Sequence, residues 1–168
     1  MGTLNTFLQT FKGGFIHPNL FKVTLSGWWG SSTYGDLLTH ACKTATIPGV
    51  TYTENKFYHD GYFNKFVSGA DFDVFTLIFM VDGGESQVIK CFDEWAKKIF
   101  DDGKFGYQET YVCDIKFEIF NRDGSVAKIT EIIDAYPTNI SPIELSFDSD
   151  NQIMEYPISW NFKKFKTS

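Results

Sequence analysis

The sequence predicts a mainly β (α+β) protein. The expected fold is an antiparallel β-sandwich or barrel of about seven to eight strands, with one central α-helix over about 85–100 and a long β-hairpin arm over about 52–68. Three observations lead there. Apolar and polar residues alternate with period two along much of the chain, the signature of half-buried strands. One long stretch alone, Glu85–Phe100, carries helical spacing with a charged opposite face. Aromatic content is 18%, with 18 Phe, more rings than a chain of 168 residues easily buries by itself.

Leu4, Phe7, Leu8 and Phe11 recur at helical spacing, so residues 3–11 read as a short amphipathic helix stopped by Gly13-Gly14. A helix so short needs something to pack on. Phe21–Ser26 reads as a strand. Gly27-Trp28-Trp29-Gly30-Ser31-Ser32 follows as a loop with two large exposed rings at its tip, and Leu37–Thr46 as a second strand closed by Pro48-Gly49. Tyr52–Tyr58 and Tyr62–Val67 flank His59-Asp60-Gly61, a hairpin signal because Asp-Gly tolerates the positive φ angles of a tight turn. Rings and charges (Glu54, Lys56, Asp60, Lys65) are mixed along it, with no clear buried face. It is either a surface hairpin or an arm ordered by a partner.

Phe72–Val81 is apolar on both faces and is expected in the middle of the sheet system, covered on both sides. In Glu85–Phe100 the stripe is Val88, Phe92, Trp95 and Ile99. Asp93/Lys97 and Glu94/Lys98 are favourable pairs four apart, and Asp82 followed by Glu85 suits a capping box. Tyr111–Phe120 is a strand with Ile115, Phe117 and Ile119 on one face, turned by Asn121-Arg122-Asp123-Gly124 into a strand beginning at Val126. Two further strands are expected. One carries Ile143, Leu145 and Phe147 on a face; the other carries Tyr156, Ile158, Trp160 and Phe162. The breaks are Tyr136-Pro137-Thr138-Asn139 and Asp148-Ser149-Asp150-Asn151-Gln152. Pro157 has no N–H for a ladder, so its strand is expected at an edge or bulged. Phe92, Trp95, Phe117 and Trp160 are the expected core, in a single domain over residues 1–168.

Composition narrows the function. A net charge of −6 argues against a protein that grips nucleic acid through phosphates. Cys42, Cys91 and Cys113 are odd in number and widely spaced, which fits buried thiols in a reducing compartment. His17, His40 and His59 lack metal-ligand spacing, and the Asp148/Asp150/Asn151 cluster lacks the glycine and glutamate of a calcium loop. No phosphate loop, nucleophile elbow, signal peptide or membrane-length apolar run is present. No catalytic residue, cofactor or metal is therefore expected. Two classes remain: a structural assembly subunit, and a monomeric β-barrel binding a small apolar ligand.

The stretch Asp134-Ala-Tyr-Pro-Thr-Asn-Ile-Ser-Pro-Ile-Glu-Leu-Ser-Phe-Asp-Ser-Asp-Asn-Gln-Ile-Met-Glu-Tyr-Pro-Ile-Ser-Trp resembles the C-terminal part of the tail tube proteins of contractile-tailed, T4-like bacteriophages. Pro18-Asn19-Leu20-Phe21-Lys22-Val23 is similar to that family's first-strand entry, and Cys42-Lys43-Thr44-Ala45-Thr46-Ile47-Pro48-Gly49 to the corner after its second strand. The resemblance implies six-membered rings stacked into a hollow tube, with a sheath, a baseplate and a tape-measure protein as partners. DNA would be a transient, non-adhering cargo, and the protein, made in the bacterial host cytoplasm, would reside in the virion. A tube or ring subunit of a phage-derived injection device, a contractile bacteriocin or secretion system, is the closer alternative. It further implies that the N-terminal segment (Leu4, Phe7, Phe11) and the hairpin (Tyr52, Phe57, Tyr58, His59, Asp60, Tyr62, Phe63) carry the contacts between subunits.

Overall fold

The computed structural model describes Gln9 and residues 14–148 and 152–168. In chain order the elements are β1 (Phe21–Ser26), α1 (Ser31–Ala41), β2 (Cys42–Ala45), β3 (Val50–His59), β4 (Tyr62–Phe72), β5 (Phe75–Met80) and α2 (Gln87–Ile99). There follow β6 (Phe100–Asp101), β7 (Lys104–Phe105), α3 (Gln108–Tyr111), β8 (Cys113–Phe120), β9 (Val126–Ile140), β10 (Glu155–Asn161) and β11 (Lys164–Thr167). The mainly antiparallel β architecture is as the sequence predicts. A seven-stranded sheet runs β1-β8-β9-β10-β5-β2, with β11 also on β9, and β3–β4 forms a separate two-stranded arm.

β9 is the hub. Its first half lies between β8 and β11, and its second half pairs with β10. One register carries β10 and β11 along the same edge of β9, from Asn161↔Tyr136 to Thr167↔Thr130. Between Ile132 and Ala135 the register with β8 slips by one. The extra residue is Asp134, at φ 55°, whose N–H donates to Asp114 Oδ1 at 3.2 Å. A one-residue bulge inverts side-chain alternation and bends the strand. The buried positions accordingly change from Thr130 and Ile132 to Ala135 and Pro137, which lets one strand serve two differently oriented parts of the sheet.

Several expectations are corrected. Leu37–Thr46 is not a strand: Tyr34, Leu37, Leu38 and Ala41 recur at helical spacing and pack on the core from α1, leaving only Cys42–Ala45 extended. Among the described residues there are thus three helices, α1 and α3 beside the expected α2, while the helix expected over residues 3–11 lies outside them save for Gln9. Trp28 and Trp29 are packed, not displayed: Trp28 is buried and Trp29 half-buried. Tyr136-Pro137-Thr138-Asn139 is not a corner but part of β9, with Thr138 the extra residue where the β10 register shifts. Ile143–Phe147 alternates like a strand yet has no ladder partner among the described residues, and lies in a loop. Residues 149–151 of the following turn lie outside the described residues. β5 starts at Phe75, separated from Phe72 by Asp73-Val74, and buries Phe75, Leu77 and Phe79.

Pro157 sits in an interior strand, opposite Ile78 of β5. Pairing with β9 begins only at Ile158, and the Pro157 carbonyl accepts from Ser141 N–H just beyond the end of β9. A strand residue presents its N and carbonyl to the same side. The missing donor therefore faces the place where the ladder has already ended.

α2 closes the sandwich with Val88, Cys91, Phe92 and Trp95, all buried. The predicted capping box is absent: Glu85 leans toward Lys90, while Asp82 Oδ1 accepts from Val88 N–H at 3.4 Å. Trp28 stacks on Trp95 at 4.5 Å and 10°, and Trp160 meets Trp95 edge-on at 5.2 Å. Trp95 Nε1–H donates to the Tyr111 carbonyl at 2.7 Å. Phe117, on β8, is buried against Phe75. A Cβ on Gly30 would lie 2.4 Å from the Trp28 ring, so the chain can pass behind that ring only without a side chain.

Two predictions follow from this packing. Trp95→Ala removes a buried ring and its hydrogen bond, and is expected to cost about 3–5 kcal/mol in a denaturant titration. Gly30→Ala, forced against Trp28, should cost about 1–3 kcal/mol. Burial also pushes the Cys42 and Cys91 thiols up from 9.0 to about 12. A raised thiol pKa stabilises the fold below the unfolded value and loses that contribution as pH rises toward the folded one. The thermal midpoint should therefore fall between pH 9 and about 12, and Cys91→Ala should flatten that fall.

Candidate assembly interface

The described residues gather no group of three or more His, Cys, Asp or Glu that could hold a metal ion. His40 Nδ1 lies 2.7 Å from the Asp36 carbonyl on its own helix, and His59 lies beside Asp60 at the far end of the arm. Cys42, Cys91 and Cys113 are free, and burial holds each thiol protonated, the opposite of an activated nucleophile. An apolar cavity of about 290 Å³ opens at the rim, between Ile16, Pro18, Phe21, Ile47 and Ile119. Ile16 and Ile47 are exposed, and the middle of the sandwich is filled by Trp160, Phe75, Phe79 and Phe92, so the core is not a ligand chamber.

The surface is where this chain is unusual. β3 has ten residues, which at ~3.3 Å each extends about 33 Å. Nearly every residue of the arm is exposed. Asp60 and Gly61 both have positive φ, 51° and 81°, as a two-residue turn matching strand twist requires. Asp-Gly supplies this cheaply, which is why the hairpin was legible. The arm begins at Val50 and ends at Phe72, longer than the alternation alone indicated.

Register sorts the arm into two faces. Pairs Tyr58↔Phe63, Lys56↔Lys65, Glu54↔Val67 and Tyr52↔Ala70 share one face; His59↔Tyr62, Phe57↔Asn64, Asn55↔Phe66 and Thr53↔Gly69 share the other. The first face is charged. The second carries rings, amides and threonine, with no Lys, Arg, Asp or Glu among those pairs. Ring contacts stay within faces: Tyr58 with Phe63 at 5.3 Å, Phe57 with Phe66 at 5.9 Å. Tyr62 is 77% exposed and Phe63 71%. The root is fixed where Phe72 packs on Phe162 and Phe165, each at 5.3 Å, and Asp73 N–H donates to the Gly49 carbonyl. Leu4, Phe7 and Phe11 lie outside the described residues.

Other large apolar side chains are exposed away from the arm. Phe100, Phe105 and Tyr107 surround the β6–β7 turn, where Asp102-Gly103 makes a second Asp-Gly turn with φ 44° and 77°. The dipeptide signalled it, but Gly103 also reads as a helix stop. Leu145, Phe147 and Ile153 are exposed around the loop that replaces the expected strand. β1 pairs only with β8, and β2 only with β5, among the described residues. Such edges invite pairing with another chain.

Comparison with known proteins agrees with this picture. The chain is 27% identical over 155 residues to tail tube protein gp19 of Enterobacteria phage T6, covering 88% of this chain and 89% of that protein. The match to tail tube protein gp19 of Enterobacteria phage T4 has the same identity and coverage. In fold it is similar to a chain of the sheath–tube complex of an extracellular contractile injection system in its extended state, with TM-score 0.66, 14% identity and 95% of each chain covered. The family model for phage tail tube proteins matches residues 6–168. With that match spanning nearly the whole sequence, the chain belongs to the phage tail tube protein family.

Proposed function

We propose that this protein is a non-enzymatic subunit of a virion tail tube, assembled as six-membered rings that stack into a hollow conduit. The observation that carries this reading is the β3–β4 arm. It exposes Tyr52, Phe57, Tyr58, Tyr62, Phe63 and Phe66 on an element that, among the described residues, packs on the rest of the subunit only at its root. Large apolar surface on an ordered element is characteristic of an interface. The single-sided edges of β1 and β2 add surfaces that ring closure would satisfy. Sheath, baseplate and tape-measure proteins are the further partners of this role, and the host cytoplasm is the place of synthesis.

DNA is the cargo in this reading. A net charge of −6 per subunit favours passage over adhesion if part of that charge faces the lumen, where carboxylates would repel phosphates. Fold likeness to an injection-system tube keeps a protein-carrying device as the second reading. The similarity in sequence to two phage proteins supports the phage tube.

Negative-stain electron microscopy beside size-exclusion chromatography tests the role, with rings or hollow tubes as the expected product. Deleting His59–Tyr62 should abolish tube formation while leaving the subunit folded; unchanged tubes would remove the arm from the interface. A ring structure should lack a continuous Lys/Arg track along its lumen, and such a track would count against free passage of DNA.

A further inference from the structure

We propose that the charged face of the β3–β4 arm docks on the β6–β7 turn of a second copy of this chain, with Lys56 and Lys65 of one subunit meeting Asp101 and Asp102 of the other. The inference rests on the reading of the arm as an assembly element and names what it grips.

The motivating observation is a like-charge pair. Lys56 stands directly opposite Lys65. Counting back from the two-residue turn, hydrogen-bonded and non-hydrogen-bonded pairs alternate from His59↔Tyr62. This places Lys56↔Lys65 at a non-hydrogen-bonded site, where Cα atoms approach to about 4.5 Å and side chains are closest. Like charges so placed destabilise a hairpin. Neither lysine has an ion-pair partner among the described residues, although Glu54 lies one pair away on the same face. An anion seated between the two ammonium groups turns this repulsion into a charge-assisted clamp.

The complementary surface is the β6–β7 turn. Asp101 and Asp102 are both exposed and also lack an ion-pair partner among the described residues. Residues 100–109 hold three carboxylates (Asp101, Asp102, Glu109) against one lysine, Lys104. The positive φ angles of Asp102 and Gly103 fix the tip. Phe105 is 81% and Tyr107 86% exposed beside it. The arm brings cations flanked by Tyr58 and Phe63; the turn brings carboxylates flanked by Phe105 and Tyr107. Charge matches charge and ring matches ring, which steers encounter and fixes register. A nucleic acid is the weaker occupant, because Glu54 shares the lysine face and the whole chain is acidic.

The test is charge exchange in the full chain, read as the sedimentable tube fraction at moderate salt. K56E/K65E and D101K/D102K should each lower it at least about tenfold, since each places like charges across the contact. The four changes together should restore it to within about threefold of the original, the non-additivity expected of contacting residues. All these positions are exposed, so thermal unfolding of the separate K56E/K65E subunit should not move. D101K stands opposite Lys104 of its own turn and Asp102 has φ 44°, so a modest fall is expected for D101K/D102K. The charge-exchange rescue, which such a fall cannot produce, decides. Mixing a K56C chain with a D102C chain should give disulfide-linked dimers joined at those two positions. Reversals that leave tubes intact, or a fourfold variant no better than its parents, overturn the docking. So does a K56E/K65E tube that assembles normally but loses retention of double-stranded DNA on filters, which would assign the lysines to phosphate. If removing His59–Tyr62 stops assembly while the reversals do not, only this docking fails. If that deletion is also silent, the arm's assembly role fails with it.

Discussion

Trp95 holds the fold together at one point. Its ring lies against Trp28 from the loop after β1, meets Trp160 of β10 on edge, and ties its N–H to the Tyr111 carbonyl at the end of α3. Four parts of the chain distant in sequence therefore share one side chain. Aromatic pairs in these geometries contribute beyond their buried area, and the indole donor is satisfied where an unpaired one would be costly. The tight passage of Gly30 behind Trp28 belongs to the same constraint. Helix, loop and sheet are placed relative to one another by this stack, and the exposed elements are carried by what it fixes.

What was legible in the sequence follows from which interactions are local. α2 could be read from its stripe because one face meets the core and the other meets water. The arm could be read from Asp60-Gly61, since turn chemistry is set by the residues in the turn. α1 was missed because Leu37–Thr46 contains enough alternation to pass for a strand, while the helical set starts earlier, at Tyr34. Ile143–Phe147 has the pattern of a strand but lacks a partner among the described residues, and no pattern reveals a missing partner. The bulge at Asp134 was invisible for a related reason: it answers to the needs of β8, β10 and β11, all remote in sequence. Phe92, Trp95, Phe117 and Trp160 are buried, and the arm residues are exposed, but which of these touches another subunit is a property of the assembly.

Membership of the tail tube family and the physical surface are mutually consistent. Cys91 and Cys113 are buried and Cys42 half-buried, burial raises the pKa of each thiol, and His40 and His59 are exposed, one against its own helix and one at the arm tip. Polar and aromatic display is concentrated instead on a two-faced hairpin, a short acidic turn and unpaired strand edges.

The root of the arm has a mechanical consequence. Phe72 is wedged between Phe162 and Phe165, which bracket the passage from β10 to β11, and both of those strands are laced to β9. The arm is thus a cantilever clamped in an aromatic socket rather than a flag on a tether. A load applied at Tyr62 is delivered through Phe72 to strands at the centre of the sheet, where shear is shared among many backbone hydrogen bonds. The exposed tip is thereby joined to the sheet through one aromatic root, Phe72 against Phe162 and Phe165.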